Sequence, residues 1–254
     1  MNRLLKVFAL TLMMVLGGQA MAQTRGAMFL GASFPMSDFA DFDGFDDFAL
    51  TSYELDDDDA GAGIGFNAGL KWYFNVGVPG LGVMLSVDGL YNGPCQDLKN
   101  WYRTSEGSFN GGSLNYTAKP QYINVPAMLG LNYIYRFNPN LGVYVEAGAG
   151  ANARFITSME TVRKYVLAVE TQKTTTQKFD NAFTFAYQAG IGIEVAKNLI
   201  IGCSFYDLGK ASVAGEETVK VRNLEENVSN AETHFNEYGT VHPIMILGRI
   251  GFCF

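Results

Sequence analysis

The feature that most constrains this chain is a strict two-residue alternation in its longest apolar segments. In 183–195, every second residue is apolar or aromatic, and small or polar residues lie between them. The same rule in 141–155 places Leu141, Val143 and Val145 on one face, with Tyr144 and Glu146 on the other. A period of two over such lengths predicts β-strands, because successive side chains of a strand point to opposite faces.

The same pattern recurs along the chain. It predicts strands at 26–36, 61–74, 81–91, 120–137, 141–155, 183–195, 199–210 and 242–254. One face of each predicted strand carries no charge, whereas the other face mixes small and polar residues with Lys71, Asp88, Arg136 and Arg249. The sequence therefore predicts an all-β protein, an eight-stranded antiparallel up-and-down barrel.

The side on which the charges lie distinguishes a soluble barrel from a transmembrane one. A soluble ligand-binding barrel keeps apolar side chains inside and tolerates charges outside, and it could not hold unpaired ionic groups in its interior. In a membrane barrel, a cation on the lipid face at mid-bilayer costs about 2–4 kcal/mol, so that face excludes charge. The uncharged face thus favours a transmembrane barrel with a polar interior.

The connections alternate in length. Those at 37–60, 92–119, 156–182 and 211–241 are long, whereas those at 75–80, 138–140 and 196–198 are short. Pro79-Gly80 and Asn138-Pro-Asn140 have the composition of tight turns. This predicts four extracellular loops, with short periplasmic turns and both termini at the opposite end.

The N-terminus has the organisation of a secretory signal. Arg3 and Lys6 precede an apolar run from Val7 to Leu16, and Ala20-Met-Ala22 forms a cleavage motif. We expect residues 1–22 to be a signal peptide and residues 23–254 to form the barrel domain in the outer membrane of a Gram-negative bacterium. The net charge is −7 before Arg3 and Lys6 are lost, which argues against nucleic acid as a partner.

The predicted inward face carries three cations and three carboxylates. Eight strands enclose a space that side chains can fill, and buried charges need partners there. We therefore predict an ionic network that plugs the interior, formed by Lys71, Asp88, Glu146, Arg154, Glu194 and Arg249. The alternative is that these groups line a narrow ion or small-solute pore.

Other candidate chemistry is weaker. The acidic loop 37–60 contains Asp41, Asp43, Asp46 and Asp47, which could bind Ca²⁺. Its spacing is not that of an EF-hand, and we interpret the segment as a solvated loop with no metal or other cofactor.

Enzymatic chemistry has few candidate residues. Histidine occurs at His234 and His242 alone, and no Gly-x-Ser-x-Gly elbow accompanies them. We predict a non-enzymatic protein, with a lipid-modifying outer-membrane enzyme as the most distant alternative. Cys203 and Cys253 fall on opposite strand faces, so we expect no disulfide between them.

The first and final strands contribute to a resemblance to a known family. The first reads Gly26-Ala-Met-Phe-Leu-Gly-Ala-Ser-Phe-Pro35, and the final one ends Gly251-Phe-Cys-Phe254. With the eight alternating strands, the chain resembles the OmpA-like and PorT-like outer-membrane β-barrel families of Gram-negative bacteria. The resemblance implies that Phe254 is the signal read by the barrel-assembly machinery. The lipid-facing wall predicts contact with outer-membrane lipid. The length of the loops favours a structural or interaction role in the cell envelope, in which the loops contact the outside or the short-turn side contacts an envelope protein.

Overall fold

Eight strands form the wall of a closed antiparallel barrel. The computed structural model describes residues 24–41, 60–109, 112–166, 170–224 and 228–254. The barrel strands are β1 (Thr24–Met36), β2 (Gly65–Asn75), β3 (Leu81–Asn92), β6 (Tyr122–Asn138), β7 (Leu141–Ile156), β10 (Ala182–Val195), β11 (Leu199–Asp207) and β14 (Ile244–Cys253). They follow one another around the wall in the order β1-β14-β11-β10-β7-β6-β3-β2. The predicted eight-stranded barrel is confirmed.

Barrel closure joins the two ends of the described chain. β1 pairs with β14 from Ala27 opposite Cys253 to Met36 opposite Ile244. Its other edge pairs with β2, so the barrel has no open edge. Closure pairs every wall strand along both of its edges, as a membrane-spanning sheet requires. Among the described residues, no helix is long and apolar enough to cross a membrane.

The short connections lie at one end of the barrel, which we call the turn side; the opposite end is the loop side. Gly80, in the β2–β3 turn, has a φ of +81°, which favours glycine. Between β10 and β11, Ala196 and Lys197 both have positive φ values of 52° and 65°. Two such residues in succession match the twist of a tight β-hairpin.

The outer and inner faces of the barrel wall carry different kinds of side chain. Outward side chains are large and apolar, including Leu129, Ile191 and Ile250, whose exposed fractions are 41%, 57% and 58%. Inward positions include charged and amide side chains that are almost fully buried. Cys203 is exposed and Cys253 is buried, so their thiols lie on opposite sides of the wall.

Three of the four long connections contain strands, although the sequence pattern assigns them to loops. They contribute β4 (Gly107–Phe109), β5 (Gly112–Ala118), β8 (Met159–Val166), β9 (Glu170–Phe179), β12 (Ala211–Asn223) and β13 (Ser229–Val241). These strands form one six-stranded sheet in the order β13-β12-β9-β8-β5-β4, which we call the outer sheet. Helix α1 (Gln96–Ser105) lies in the second connection, and a short 3-10 helix (Ser37–Phe39) begins the first. Residues 42–59 of the first connection lie outside the described part.

Candidate functional site

Four of the six predicted interior charges form two pairs. The Lys71 ammonium contacts the Glu146 carboxylate, and both side chains are at most 1% exposed. Arg249 Nη2 lies 3.3 Å from Asp88 Oδ1. Tyr206 joins this second pair, because its hydroxyl donates to Asp88 Oδ2 at 2.7 Å and accepts from Arg249 Nη2 at 3.0 Å. The barrel centre is thus occupied by paired charges.

Glu194 lies apart from these pairs, at the turn side. Its carboxylate contacts the Arg25 guanidinium, and Arg136 Nη1 is 2.5 Å from its second oxygen. The sequence pattern places Arg136 on the polar face but outside the predicted network, and Arg25 is absent from that prediction. Alternation along β1 could have placed Arg25 on the inner face, because it lies two residues before the inward-facing Ala27.

Arg154 has no carboxylate partner among the described residues and instead binds backbone. Its Nη1 donates to the carbonyl of Val241 at 2.8 Å, and its Nη2 donates to those of Ala211 and Ser212 at 3.1 Å each. These carbonyls lie where β12 begins and β13 ends. Arg154 therefore ties the barrel wall to the outer sheet, a role different from the predicted ionic network.

The loop side of the barrel is filled by a hydrophobic cluster. Leu98 and Tyr102 of α1 are fully buried in it, together with Phe39 from the first connection. The ring of Phe39 packs edge-on against that of Tyr122 at a centroid distance of 5.3 Å, and the Tyr122 hydroxyl donates to the Ala60 carbonyl at 2.6 Å. We call this group of residues the cap, because it covers the loop-side mouth.

The cap continues into the outer sheet. Tyr102 and Tyr116 lie edge to face with ring centroids 4.8 Å apart. Burial raises the pKa of Tyr116 to about 12, and the nearby Glu106 carboxylate adds to this effect. Burial also raises the pKa of Tyr238 in β13. Both side chains are buried, with exposed fractions of 8% and 2%, although they lie outside the barrel wall.

A cavity of about 540 Å³ opens at the turn side. Its lining includes Arg25, Arg136 and Glu194, and the aromatic walls come from Tyr73 and Tyr144. The barrel thus differs at its two ends, since hydrophobic side chains cover the loop side and a polar cavity opens at the turn side.

The histidines lie where the sequence pattern places them, in the last connection and beside the final strand. His242 Nε2 is 2.8 Å from Asp207 Oδ1, and the Tyr187 hydroxyl donates to Asp207 Oδ2 at 2.5 Å. His234 is 3.7 Å from Glu232 on the exposed surface. Among the described residues, no serine hydroxyl lies within hydrogen-bond distance of His242.

The candidate calcium ligands lie mostly outside the described residues. This applies to Asp43, Asp46 and Asp47, whereas Asp41 is exposed at the start of that gap. Within the described ranges, no group of three or more His, Cys, Asp or Glu side chains could hold a metal ion.

The backbone of Phe254 is paired with that of Gly26. The Gly26 amide donates to the Phe254 carbonyl at 3.1 Å, and the Phe254 amide donates back at 2.9 Å. The Phe254 ring, 78% exposed, lies where a side chain on Gly26 would collide with it. The last residue thus takes part in the β1–β14 seam while its ring remains accessible.

Comparison with known proteins gives one family and several structures. The family model described as outer membrane protein β-barrel domain matches residues 8–229. No curated protein matches the chain. Among solved structures, the chain is similar to Ail, the attachment invasion locus protein of Yersinia pestis, solved with the heparin analogue sucrose octasulfate: 14% identity, 91% of this chain and 99% of that chain covered, TM-score 0.37.

Two further structures have similar values. The outer membrane protein OprG from Pseudomonas aeruginosa is 11% identical over 93% of this chain and 98% of that chain, with a TM-score of 0.37. A major outer membrane protein from Thermus thermophilus is 12% identical over 91% of this chain and 100% of that chain, with a TM-score of 0.40.

Proposed function

Because this chain belongs to the family of outer membrane protein β-barrel domains, we propose that it is a non-enzymatic interaction protein of a Gram-negative cell envelope. In this proposal the barrel anchors the protein in the outer membrane, and its plugged interior does not conduct solutes. The outer sheet is the part that contacts a partner at the cell surface.

The observation that carries the proposal is the contrast between the cap and the outer sheet. The cap closes the loop side with fully buried side chains such as Leu98 and Tyr102. Above it, three connections join into one ordered sheet, whose strands extend beyond the cap to exposed positions such as Val221 in β12. Binding residues commonly occur on connections positioned by a rigid scaffold.

The outer sheet also exposes an aromatic side chain without a lipid surface to cover it. Phe235, in β13, is 68% exposed, and its register partner in β12 is Glu216. Exposed aromatic residues are expected on the lipid-facing barrel wall, but in a water-exposed sheet they favour a protein contact. Phe235 is therefore the residue we would place at the centre of an interface.

Site-specific photocrosslinking tests this proposal. A photoreactive phenylalanine analogue is placed at Phe235 and, as the matched control, at Phe205 on the lipid-facing wall. We expect a discrete protein adduct from intact cells with the probe at 235 and none with the probe at 205. Lipid adducts alone at both positions would contradict an interaction role for the outer sheet.

Conductance separates the proposal from a pore. The purified full chain is reconstituted into planar bilayers at several salt concentrations. We expect no discrete conductance steps, because the Lys71–Glu146 and Arg249–Asp88 pairs fill the centre and the cap covers the mouth. Reproducible steps from the intact chain would favour the narrow pore instead.

A further inference from the structure

The turn-side cavity has the shape of a binding site that is open at one end. Its rim includes Asn75 and Pro79 of the exposed β2–β3 turn, and its lining extends inward to Tyr144 and Ile200, which are 6% and 3% exposed. A volume of about 540 Å³ lies within the range of small-molecule sites.

The inner end of the cavity is blocked. Beyond Tyr144 lie the buried Lys71–Glu146 pair and Phe29, whose ring lies 5.2 Å from the Lys71 ammonium. Phe29 and Lys71 are each 1% exposed. A molecule that enters from the turn side therefore meets a packed layer and must leave by the way it came.

The charge of the lining favours an anion. Two guanidinium groups, of Arg25 and Arg136, face one carboxylate, of Glu194. Glu194 gives one oxygen to each arginine, and the arginine side chains remain 27% and 36% exposed. Arg25 also donates to the Lys197 carbonyl. A guanidinium has five N–H donors, so both arginines keep donors for a second anionic group, Arg136 more of them than Arg25.

Other lining residues would contact the uncharged part of the ligand. Tyr73, Tyr144, Ile134 and Ile200 supply aromatic and aliphatic surface next to the arginines. Asn132, also in the lining, has a buried side-chain oxygen without a hydrogen-bond partner. Since solvent does not reach this oxygen, which lies against Gly82 of β3, the Asn132 amide belongs to the cavity wall and is not a ligand contact.

We propose that this cavity binds a small organic anion with an aromatic or short apolar body, entering from the turn side. Arg136 and Arg25 bind the anionic group, and the tyrosine rings contact the body. Because the inner end is blocked, the site retains its ligand and does not pass it across the barrel. This inference is independent of the partner proposed for the outer sheet.

Calorimetry with a charged and a neutral probe of the same shape tests the proposal. The purified full chain in detergent is titrated with 2-naphthoate and with 2-naphthamide, and titrations of protein-free detergent correct for partitioning. We expect saturable binding of 2-naphthoate, weakened by added salt, and an affinity for the amide lower by about tenfold or more. Equal affinity for the two probes, or no binding of either, would overturn the proposal.

Variants then locate the site. Arg136→Gln should weaken 2-naphthoate binding by about tenfold or more, and Arg136→Lys should retain most of it, because it keeps the charge. The matched control is Arg103→Gln, which removes an exposed arginine from α1 near the loop side and should leave binding unchanged. Circular dichroism establishes that each variant is folded.

An effect of Arg103→Gln equal to that of Arg136→Gln would place binding outside the cavity and contradict the assignment. If Arg136→Gln does not fold, the comparison of the two probes on the unaltered chain decides the question by itself. A failure of this experiment leaves the crosslinking result at Phe235 unaffected, so the two proposals fail separately.

Discussion

The barrel and the outer sheet are both antiparallel and are built from the same chain, yet they differ in closure and in patterning. The barrel has no edge and separates an apolar outer face from a polar inner one. The outer sheet begins at β13 and ends at β4, and its strands are rich in polar residues on both faces, as in Glu170–Phe179. Water can hydrogen-bond to an exposed edge, whereas lipid cannot.

The surrounding solvent therefore determines which constraint the sequence of each sheet must meet. Inside a membrane, every backbone group must be paired and every outward side chain must be apolar. Outside it, neither condition applies, and the six outer strands need only enough packing to order them. The cap provides that packing through residues such as Tyr102 and Tyr116.

The largest expected effect is inside the barrel. Glu146→Gln leaves the buried Lys71 ammonium without a carboxylate, which should lower the free energy of unfolding by about 3–5 kcal/mol. Urea unfolding of the reconstituted protein measures it in a Trp101→Phe background, in which Trp72 fluorescence reports on the barrel. Glu237→Gln, on the exposed surface of the outer sheet, is the matched control and should change little.

A second variant shows whether the loss comes from the unpaired charge. Adding Lys71→Met to Glu146→Gln removes the cation as well and should restore much of the lost stability. If Glu146→Gln alone has no effect on unfolding, the paired charges do not stabilise the interior and the plug proposal loses its energetic basis.

The next effect concerns the lipid-facing wall. Leu129 lies near the middle of β6, opposite Ala149 of β7, and Leu129→Arg should destabilise the reconstituted barrel by about 2–4 kcal/mol. Val221→Arg places the same charge on an exposed position of β12 and should change stability by less than about 0.5 kcal/mol. Equal losses for the two variants would mean that the two sheets face the same solvent.

A smaller effect is expected at the junction of the two sheets. Arg154→Met removes the donor to three carbonyls, so the free energy for opening the outer sheet should fall by about 1–3 kcal/mol. Amide hydrogen exchange should accelerate at the start of β12 and the end of β13, with less change in β10 and β11. Lys164→Met, an exposed change in β8, serves as control. Uniform acceleration throughout the barrel would show that Arg154 does not act at this junction.

The smallest effect is the titration of Tyr116. Its folded pKa of about 12 lies above the ordinary tyrosine value of 10.0, so the unfolded state loses its proton first and stability falls as pH rises from 10 towards 12. Below pH 10, the contribution of Tyr116 to the free energy of unfolding is fully present. The difference in phenolate absorbance between the unaltered chain and Tyr116→Phe should titrate near pH 12. A midpoint near 10 would mean that the cap does not exclude water from this ring.

The barrel could be predicted from the sequence because each strand carries its own signal. Phe183, Phe185 and Tyr187 alternate with small or polar residues, and lipid on one face makes such alternation obligatory. The predicted span 183–195 differs from the observed strand Ala182–Val195 by one residue at its start. A strand is predictable from the sequence where one of its faces must be apolar.

The sequence pattern does not predict the outer sheet or α1, because the signals of these elements are weak. β9 reads Glu-Thr-Gln-Lys-Thr-Thr-Thr-Gln-Lys-Phe, and with polar residues on both faces it has no apolar period. In α1, Leu98, Trp101 and Tyr102 have helical spacing, but the helix is only ten residues long.

The interior could be predicted in part. Inward positions follow from alternation, but the partners of a charge depend on which strands meet across the barrel. Arg25 and Glu194 come from β1 and β10, which are not neighbours in the wall, so no local pattern links them. A buried cation ordinarily has a carboxylate partner, and the sequence therefore predicts one for Arg154. Every residue has a backbone carbonyl, so the sequence cannot indicate which carbonyls accept hydrogen bonds from Arg154.

The pairing of β1 with β14 has a consequence for the order of assembly. The two strands come from nearly opposite ends of the described chain, Ala27 opposite Cys253, so their contact closes the longest possible loop of backbone. Such contacts form late, because the entropy of a long loop is lost before the contact contributes any stability. Until that final seam forms, β1 and β14 each expose an unpaired edge, and a growing chain cannot complete its barrel one segment at a time. Closure of the barrel must therefore wait until the last strand of the wall is present.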